Sequence, residues 1–342
     1  DHSLVGSEMC IRDRSYGVAV ALCFVTMLCW GSWANTQKLA SQEWRFQLFY
    51  WDYSIGVLLL ALLLAFTLGS SGEQGRAFMP DISQASTEAI QMALLGGAVF
   101  NLANILLVVA IDIAGMAVAF PVGIGLALVI GVMANYDPAQ VNRATMLFLG
   151  VGLVVVAILI DALIYRRVPS DGNQGIGKGL AISIIAGIAM GFFYRFVAQS
   201  MSFDFANPEA GLMTPYSAAV VFGIGLLVSN VLFLIPLMYK PISGEPAALG
   251  EYFSRGTPKL HLVGILGGAI WATGFCFNII AAGKAGYAVS YGLGQGATMV
   301  AAFWGVFIWK EFKDTPQGTG ALIAAMFACF FVGLGLIIYS NL

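Results

Sequence analysis

Charge is what this chain lacks. Only 10% of its 342 residues are charged, 16 Lys plus Arg against 18 Asp plus Glu, where a soluble domain carries roughly 25%. So few charges cannot cover a water-facing surface, which excludes a soluble enzyme and a disordered chain. There is no basic excess, which excludes a nucleic-acid partner. Histidine is nearly absent. Of the two present, His2 lies in the extreme N-terminal tail, and His261 alone cannot build a His-based zinc site or a catalytic triad. The five cysteines show no CxxC and no Cys/His metal spacing. Cys23, Cys29, Cys276 and Cys329 sit in apolar runs, where a thiol acts as a small hydrophobe. No phosphate-cradling glycine loop with its lysine is present either.

What is there is hydrophobic: 59% of the residues. A helix needs about 20 mostly apolar residues to cross a bilayer, and ten runs qualify. They are about Tyr16–Thr36, Gln47–Leu68, Ala89–Ala110, Ala114–Ala134 and Thr145–Tyr165, then Gly177–Gln199, Thr214–Met238, Leu260–Ala281, Gly286–Trp309 and Gly318–Tyr339. The runs are continuous rather than alternating, which excludes a β-barrel. The third and fourth spans are linked only by Ile111 to Ile113, and the eighth and ninth only by Ala282 to Ala285, so both pairs are expected to be tight helical hairpins. Residues Ser3 to Asp13 (SLVGSEMCIRD) resemble a translated sequencing adapter; 1–14 are therefore expected to be non-native and are set aside.

Basic residues crowd the loops after odd-numbered spans (Lys38, Arg45, Arg166, Arg167, Lys178, Lys240, Arg255, Lys259, Lys310, Lys313), against Arg76, Arg143 and Lys284 after even-numbered ones. The positive-inside rule makes the odd-numbered loops cytoplasmic and both termini external. A cysteine introduced at Ser170 is then expected to resist an impermeant thiol reagent applied from outside.

The sequence also repeats itself. At a shift of 171 residues, LLGGAVF (Leu94 to Phe100) falls on ILGGAIW (Ile265 to Trp271). AGMAVAFPVGIG (Ala114 to Gly125) falls on AGYAVSYGLGQG (Ala285 to Gly296). The expected units are 15–170 and 171–342, five spans each. Five is odd, so the second unit enters the membrane in the opposite sense. The expected fold is an all-α polytopic membrane protein of ten helices in two inverted repeats. That geometry suits two nearly equivalent states, each open to one side, as secondary carriers use.

The five-plus-five spans, the short third-to-fourth hairpin and the closing GVFIWKEFKDTPQGTGALIAAMFACFFVGLGLII, with its Lys310-Glu311 pair, resemble the drug/metabolite transporter superfamily. LCWGSWANTQKL and FYWDYSIGVLL are most similar to its glucose/ribose porter and ureide permease branch; WDYSI (Trp51 to Ile55) is similar to an aspartate-tyrosine-serine element of the ureide permeases. The resemblance implies a carrier of small polar metabolites, a sugar or a ureide or nucleobase, coupled to protons or sodium and needing no cofactor. It implies an integral protein of a bacterial inner membrane. An exporter of amino acids or drugs is the alternative, and a non-transporting membrane protein a further one. The closing span, FACFFVGLGLII, faces either lipid or a second copy.

Candidate binding residues follow from position. FPVGIG and YGLGQG are expected to interrupt helices at matching places, with Gly123, Gly125, Gly292, Gly294 and Gly296 serving either a broken-helix site or close helix packing. Tyr287, Tyr291, Gln295 and Thr298 recur at helical spacing on the ninth span, and a buried Gln295 should face the interior. The matching face of the fourth span (Met116, Phe120, Ile124, Ala127) is apolar. Trp30 is deep in the first span and offers a stacking face; Trp33 is closer to the belt of aromatics at the interface. Asn101 and Asn104 on the third span, and Asn278 on the eighth, serve either a substrate or helix-to-helix bonding. Asp52 and Arg195 are the ionisable residues inside spans. Asp52 serves either proton coupling or a salt bridge to Lys38 or Arg45. Asp112, Asp161 and Lys284, at span ends, read as topology markers, and Glu311 as structural.

Overall fold

The computed structural model describes residues 2–40, 43–71, 75–168, 175–204, 206–313 and 315–342, with side chains from residue 15 onward except 116 and 117. The side chains of the 1–14 tail, Ser170 and the expected 170/171 boundary between repeats lie outside the described residues.

Continuous apolar sequence produces helices and little else. Their order is α1 (His2–Ser32), α2 (Ala34–Ala40), α3 (Phe46–Phe66), α4 (Phe78–Gln84), α5 (Thr87–Ala114), α6 (Met116–Ala134) and α7 (Ala144–Tyr165). The second half continues with α8 (Ile176–Ser200), α9 (Pro215–Tyr239), α10 (Leu249–Ser254), α11 (Pro258–Ala285), α12 (Tyr287–Gly294), α13 (Ala297–Phe303) and α14 (Thr319–Tyr339). Among the described residues there is one isolated bridge, Met201 to Met213, and no strand. Nine helical stretches are long and apolar enough to cross a membrane, with Val118–Ala134 a shorter apolar tenth. The protein is a polytopic all-α membrane protein, as its sequence implies.

The two hairpins are tighter than the sequence suggests. Helix α5 runs through Ile111–Ile113 to Ala114, and α11 through Ala282–Ala285; a single glycine turns each corner. Gly115 has φ 77° and Gly286 φ 82°, a backbone state that a side chain strains and glycine does not. The same two helices carry hydroxyl caps at their starts. Ser86 caps α5 by accepting from Ala89 N, and Thr257 caps α11 by accepting from Leu260 N. Both long helices thus start on a hydroxyl cap and end on a left-handed-side glycine.

Packing comes in matched couples. Helix α5 lies on α8 and α9, while α11 lies on α1 and α3. Helix α6 packs on α8, while α12 and α13 pack on α1. Two further partnerships, α7 with α14 and α3 with α9, each join one helix of one half to its counterpart in the other. Glycines set the closest crossings. A Cβ on Gly268 would stand 1.9 Å from the Tyr53 carbonyl oxygen, and one on Gly97 2.1 Å from that of Phe222. These are the matched glycines of ILGGAIW and LLGGAVF. Small residues let backbones meet where lipid offers no hydrophobic drive for association.

The loops sort by charge. Lys38 meets Glu311, Arg45 meets Glu245, and Arg167 meets Thr319 at one end. At the other end Arg76 reaches the carbonyls of Pro208, Glu209 and Leu212, Arg143 reaches Tyr339 O, and Tyr16 reaches Ile338 O near the C-terminus.

Candidate substrate cavity

A cavity opens between the two halves at the basic end and narrows inward. Its inner part, about 170 Å³, is walled by Trp30, Phe100, Phe120, Phe193 and Trp271, with Asn104, Gln295 and Thr298 as its polar lining. Trp33, Asn104, Leu107, Phe120 and Thr298 also line an outer vestibule of about 440 Å³ that reaches Lys38, Asp112, Asp161, Tyr165 and Glu311.

The aromatic wall is rigid. Trp30 and Trp271 stack with centroids 5.8 Å apart and planes 12° from parallel, and Trp30 Nε1 donates to Trp271 O at 3.2 Å. Trp271 is backed by Phe222 and Phe275, nearly parallel to it, and by Phe100 at 4.4 Å. The rings are held by one another, so a flat ligand meets a preformed face.

The polar lining comes from a broken helix. The ninth span stops at Gly294 and restarts at Ala297, with Gln295 and Gly296 in the turn between. Past α13 it runs into a π-helical turn, Trp304–Ile308. Gln295 is nearly buried, 8% exposed, yet among the described residues its side-chain amide has no hydrogen-bonding partner within the protein. One turn on, Thr298 Oγ1 donates to Gln295 O at 2.9 Å, and across the cavity Asn104 Nδ2 donates to Tyr50 Oη at 3.1 Å. The interior therefore offers an uncommitted carboxamide, a hydroxyl and a second carboxamide, and no charge.

The equivalent stretch of the first half behaves differently. FPVGIG stays inside α6, with Pro121 enclosed in a continuous helix. The expected matching interruption is present only in the second half. Gly123 accepts close packing instead: a Cβ on Gly187 would stand 2.6 Å from its carbonyl oxygen. Gly294 gives way to the Trp30 ring and Asn278, Gly296 to Met27, and Gly292 to Val132, while Gly125 has open space around it.

Several residues singled out on the sequence turn away from the cavity. Tyr291 is fully buried and shares its hydroxyl hydrogen between the carbonyls of Ala127 (3.1 Å) and Met190 (3.2 Å), with Gly131 making room for its ring. Gln295 N still bonds back to Tyr291 O at 3.1 Å, and the helix tightens after it, with Thr298 N reaching Gln295 O; Gln295 and Thr298 line the cavity, whereas Tyr287 and Tyr291 do not. Asn278 Nδ2 donates to Ser290 O at 2.8 Å. Asn101 Nδ2 faces Asn230 Oδ1 (2.9 Å) and Ser229 Oγ (2.8 Å), and Asn230 in turn donates to Ser54. That network binds α5, α9 and α3 together. Arg195 is exposed on α8 and does not reach the cavity.

Asp52 is fully buried, and its partners are neither Lys38 nor Arg45, which pair with Glu311 and Glu245. Instead Trp44 Nε1 (3.0 Å), Tyr252 Oη (2.5 Å) and His261 Nδ1 (2.9 Å) surround it. The carboxylate ties the second span to α10 and to the start of α11. Burial, then the adjoining Asp52 carboxylate, pushes the Tyr252 phenol above its ordinary range. Composition alone could not pair Asp52 with two residues some 200 positions away. Nor could it separate Phe100 and Phe193, which wall the cavity, from the many lipid-facing aromatics.

The comparisons agree with this architecture. A sequence model described as ureide permease matches residues 49–178 and 170–340. Ureide permease 1 of Arabidopsis thaliana is 24% identical, the alignment covering 96% of this chain and 98% of its own. Probable ureide permease A3 of Vigna unguiculata is 22% identical over 90% of this chain and 98% of its own. A probable glucose uptake protein of Priestia megaterium, GlcU, is 24% identical over 62% of this chain and 67% of its own. One solved crystal structure shares the fold, with TM-score 0.57 over 93% of this chain and 95% of its own at 14% identity. The chain belongs to the ureide permease family and is a multi-pass membrane transporter of a small polar metabolite.

Proposed function

We propose that the protein is a secondary carrier that moves a neutral, ring-shaped metabolite of the ureide or nucleobase class through the cavity between its halves, coupled to protons or sodium. The observation that carries this reading is the uncommitted Gln295 carboxamide inside an aromatic, charge-free wall. A carboxamide offers both a donor and an acceptor, which matches the alternating N–H and C=O edge of a ureide or uracil. Trp30 supplies the stacking face, and Asn104 and Thr298 the opposite polar contacts. A charged substrate would find no counter-ion there. A sugar is the second reading; aromatic walls suit sugar rings as well, and the glucose uptake relatives favour it.

Residues 15–170 and 171–342 act in this scheme as inverted repeats, and the matched packing of α5 on α8 and α9 and of α11 on α1 and α3 supports it. Exchange of their roles would close the vestibule at the basic end and open the opposite end. The basic end is the cytoplasmic one, with both termini outside. A cysteine placed at Ser254, in a cysteine-free background, should be labelled by an impermeant reagent only after the membrane is opened; labelling of intact cells reverses the orientation.

The function is tested by counterflow. Reconstituted protein preloaded with unlabelled substrate is offered labelled allantoin, uracil, glucose or ribose. Exchange of allantoin or uracil supports the first reading, and exchange of only the sugars replaces it with the second. No exchange of any of them points to the exporter alternative.

A further inference from the structure

Three carboxylates lie in or at the ends of the spans near the cavity, and they differ in what holds them. Asp52 has three donors and lies outside the cavity lining. Asp112 is exposed at the end of α5. Asp161, on α7, is 7% exposed and lines the vestibule, and its Oδ1 is buried with no hydrogen-bonding partner. An ionised carboxylate left unpaired inside a span is costly, so such a group is protonated or functional.

The surroundings of Asp161 reinforce this. Helices α6 and α14, which pack on α7, carry no charged residue. On α7 itself Tyr165 is one turn away and donates to Glu311 Oε2 at 3.0 Å. Glu311 also pairs with Lys38, whose ammonium lies over the Trp309 ring. Lys38 is thus engaged by Glu311, and Asp112 is the other charge on the vestibule wall. The vestibule wall thus sets two other carboxylates, Asp112 and Glu311, beside Asp161, and the cation there, Lys38, is engaged by Glu311. The vestibule still opens to solvent at the basic end, so a proton has a route to the Asp161 carboxyl.

We propose that Asp161 is the residue that takes up and releases the coupling proton on the vestibule side, with the Lys38–Glu311–Tyr165 cluster setting its charge surroundings. This rests on the coupled-carrier reading above. In the state described here the proton sits on the Asp161 carboxyl; closing the vestibule carries it, with substrate, between the two sides. Only a proton moves between water and the carboxyl, so no other reactant is required.

The test uses labelled allantoin with wild type, Asp161→Asn and Asp161→Glu in liposomes. Two transport modes are measured: counterflow without any gradient, and accumulation under a pH gradient, with and without sodium. Asp161→Asn should keep counterflow and lose gradient-driven accumulation; Asp161→Glu should recover accumulation with a shifted pH profile. In difference infrared spectra, which need no substrate, the carbonyl band of a protonated carboxyl present in wild type should vanish in Asp161→Asn. Undiminished accumulation by Asp161→Asn, loss of its counterflow in folded protein, or an unchanged carbonyl band would overturn the assignment. Wild type that exchanges allantoin but accumulates it under no pH gradient, or only under a sodium gradient, rejects proton coupling itself. Wild type that does not exchange allantoin leaves the infrared band to decide on Asp161 and rejects the ureide reading alone.

Discussion

Replacing Gly268 by alanine should separate the two halves where they touch most closely. The added Cβ would lie 1.9 Å from the Tyr53 carbonyl oxygen and 2.8 Å from the Val57 nitrogen. Both are backbone atoms of α3, so no side chain can swing away. Contacts under 3.0 Å are not tolerated, so α11 and α3 must part by roughly 1 Å, and neighbouring contacts such as Gly56 against Ile265 O loosen with them. Overpacking of this kind costs about 1–3 kcal/mol, and a backbone obstruction belongs at the upper end. At a few degrees per kcal/mol this is a fall in melting temperature of about 5–10 °C. Gly97→Ala, the matched position against Phe222 O, should behave the same way. Gly335→Ala is the control, because its Cβ meets nothing within 4 Å. The assay is the loss of monodisperse protein on heating in detergent, read by size-exclusion chromatography. If Gly268→Ala melts with Gly335→Ala, the close crossing does not hold the halves together and the argument fails.

Other consequences are as direct. Gln295→Ala should raise the apparent KM about 2–10-fold with the melting temperature unchanged, the range expected for one neutral hydrogen bond; unaltered kinetics in counterflow would remove Gln295 from the site. Asp52→Asn places an amide hydrogen among three donors, so it should lower stability by about 1–3 kcal/mol while the exchange rate per folded molecule stays; loss of exchange in fully stable protein would contradict a structural role. Tyr291→Phe leaves the ring under Gly131 but removes the hydroxyl between Ala127 O and Met190 O, so it should destabilise by about 1 kcal/mol with KM unaffected. A change in KM without a change in melting would place Tyr291 in the site.

Much of the architecture was legible in the sequence because membranes impose it. Ten apolar runs had to be helices, since lipid offers no partner for an open backbone. The short links Ile111 to Ile113 and Ala282 to Ala285 announced the hairpins; the repeated LGG and AG stretches announced only a repeat, and the structure shows their glycines at the closest crossings and the corners, where space or φ requires them. The cavity was less legible. Trp30, Asn104, Gln295 and Thr298 line it, but Asn101, Asn278 and Tyr291 look the same in a helical pattern and are spent on helix contacts. Spacing places a residue on a face; it does not say which neighbouring helix that face meets. Tyr291 and Gln295, four apart and joined by a regular helical bond, meet different neighbours all the same: Tyr291 packs on α6 and α8, while Gln295 faces the cavity. The partners of Asp52 arrive from α10 and α11 through tertiary packing, which no local pattern carries. Asp161 read as a span end; its buried, unpartnered oxygen beside the vestibule emerges only in the folded structure.

The central claim is that substrate sits in the cavity between Trp30 and Gln295. A single cysteine at Ala301, which lines both parts of the cavity, placed in a cysteine-free background, would report on it most directly. With allantoin, uracil, glucose and ribose each tested at a concentration that saturates exchange, the transported compound should slow alkylation of that cysteine and leave a cysteine at Gly335, on the face of α14 with open space around it, unaffected. Alkylation at position 301 that proceeds at one rate with and without a compound the protein demonstrably exchanges would contradict the account.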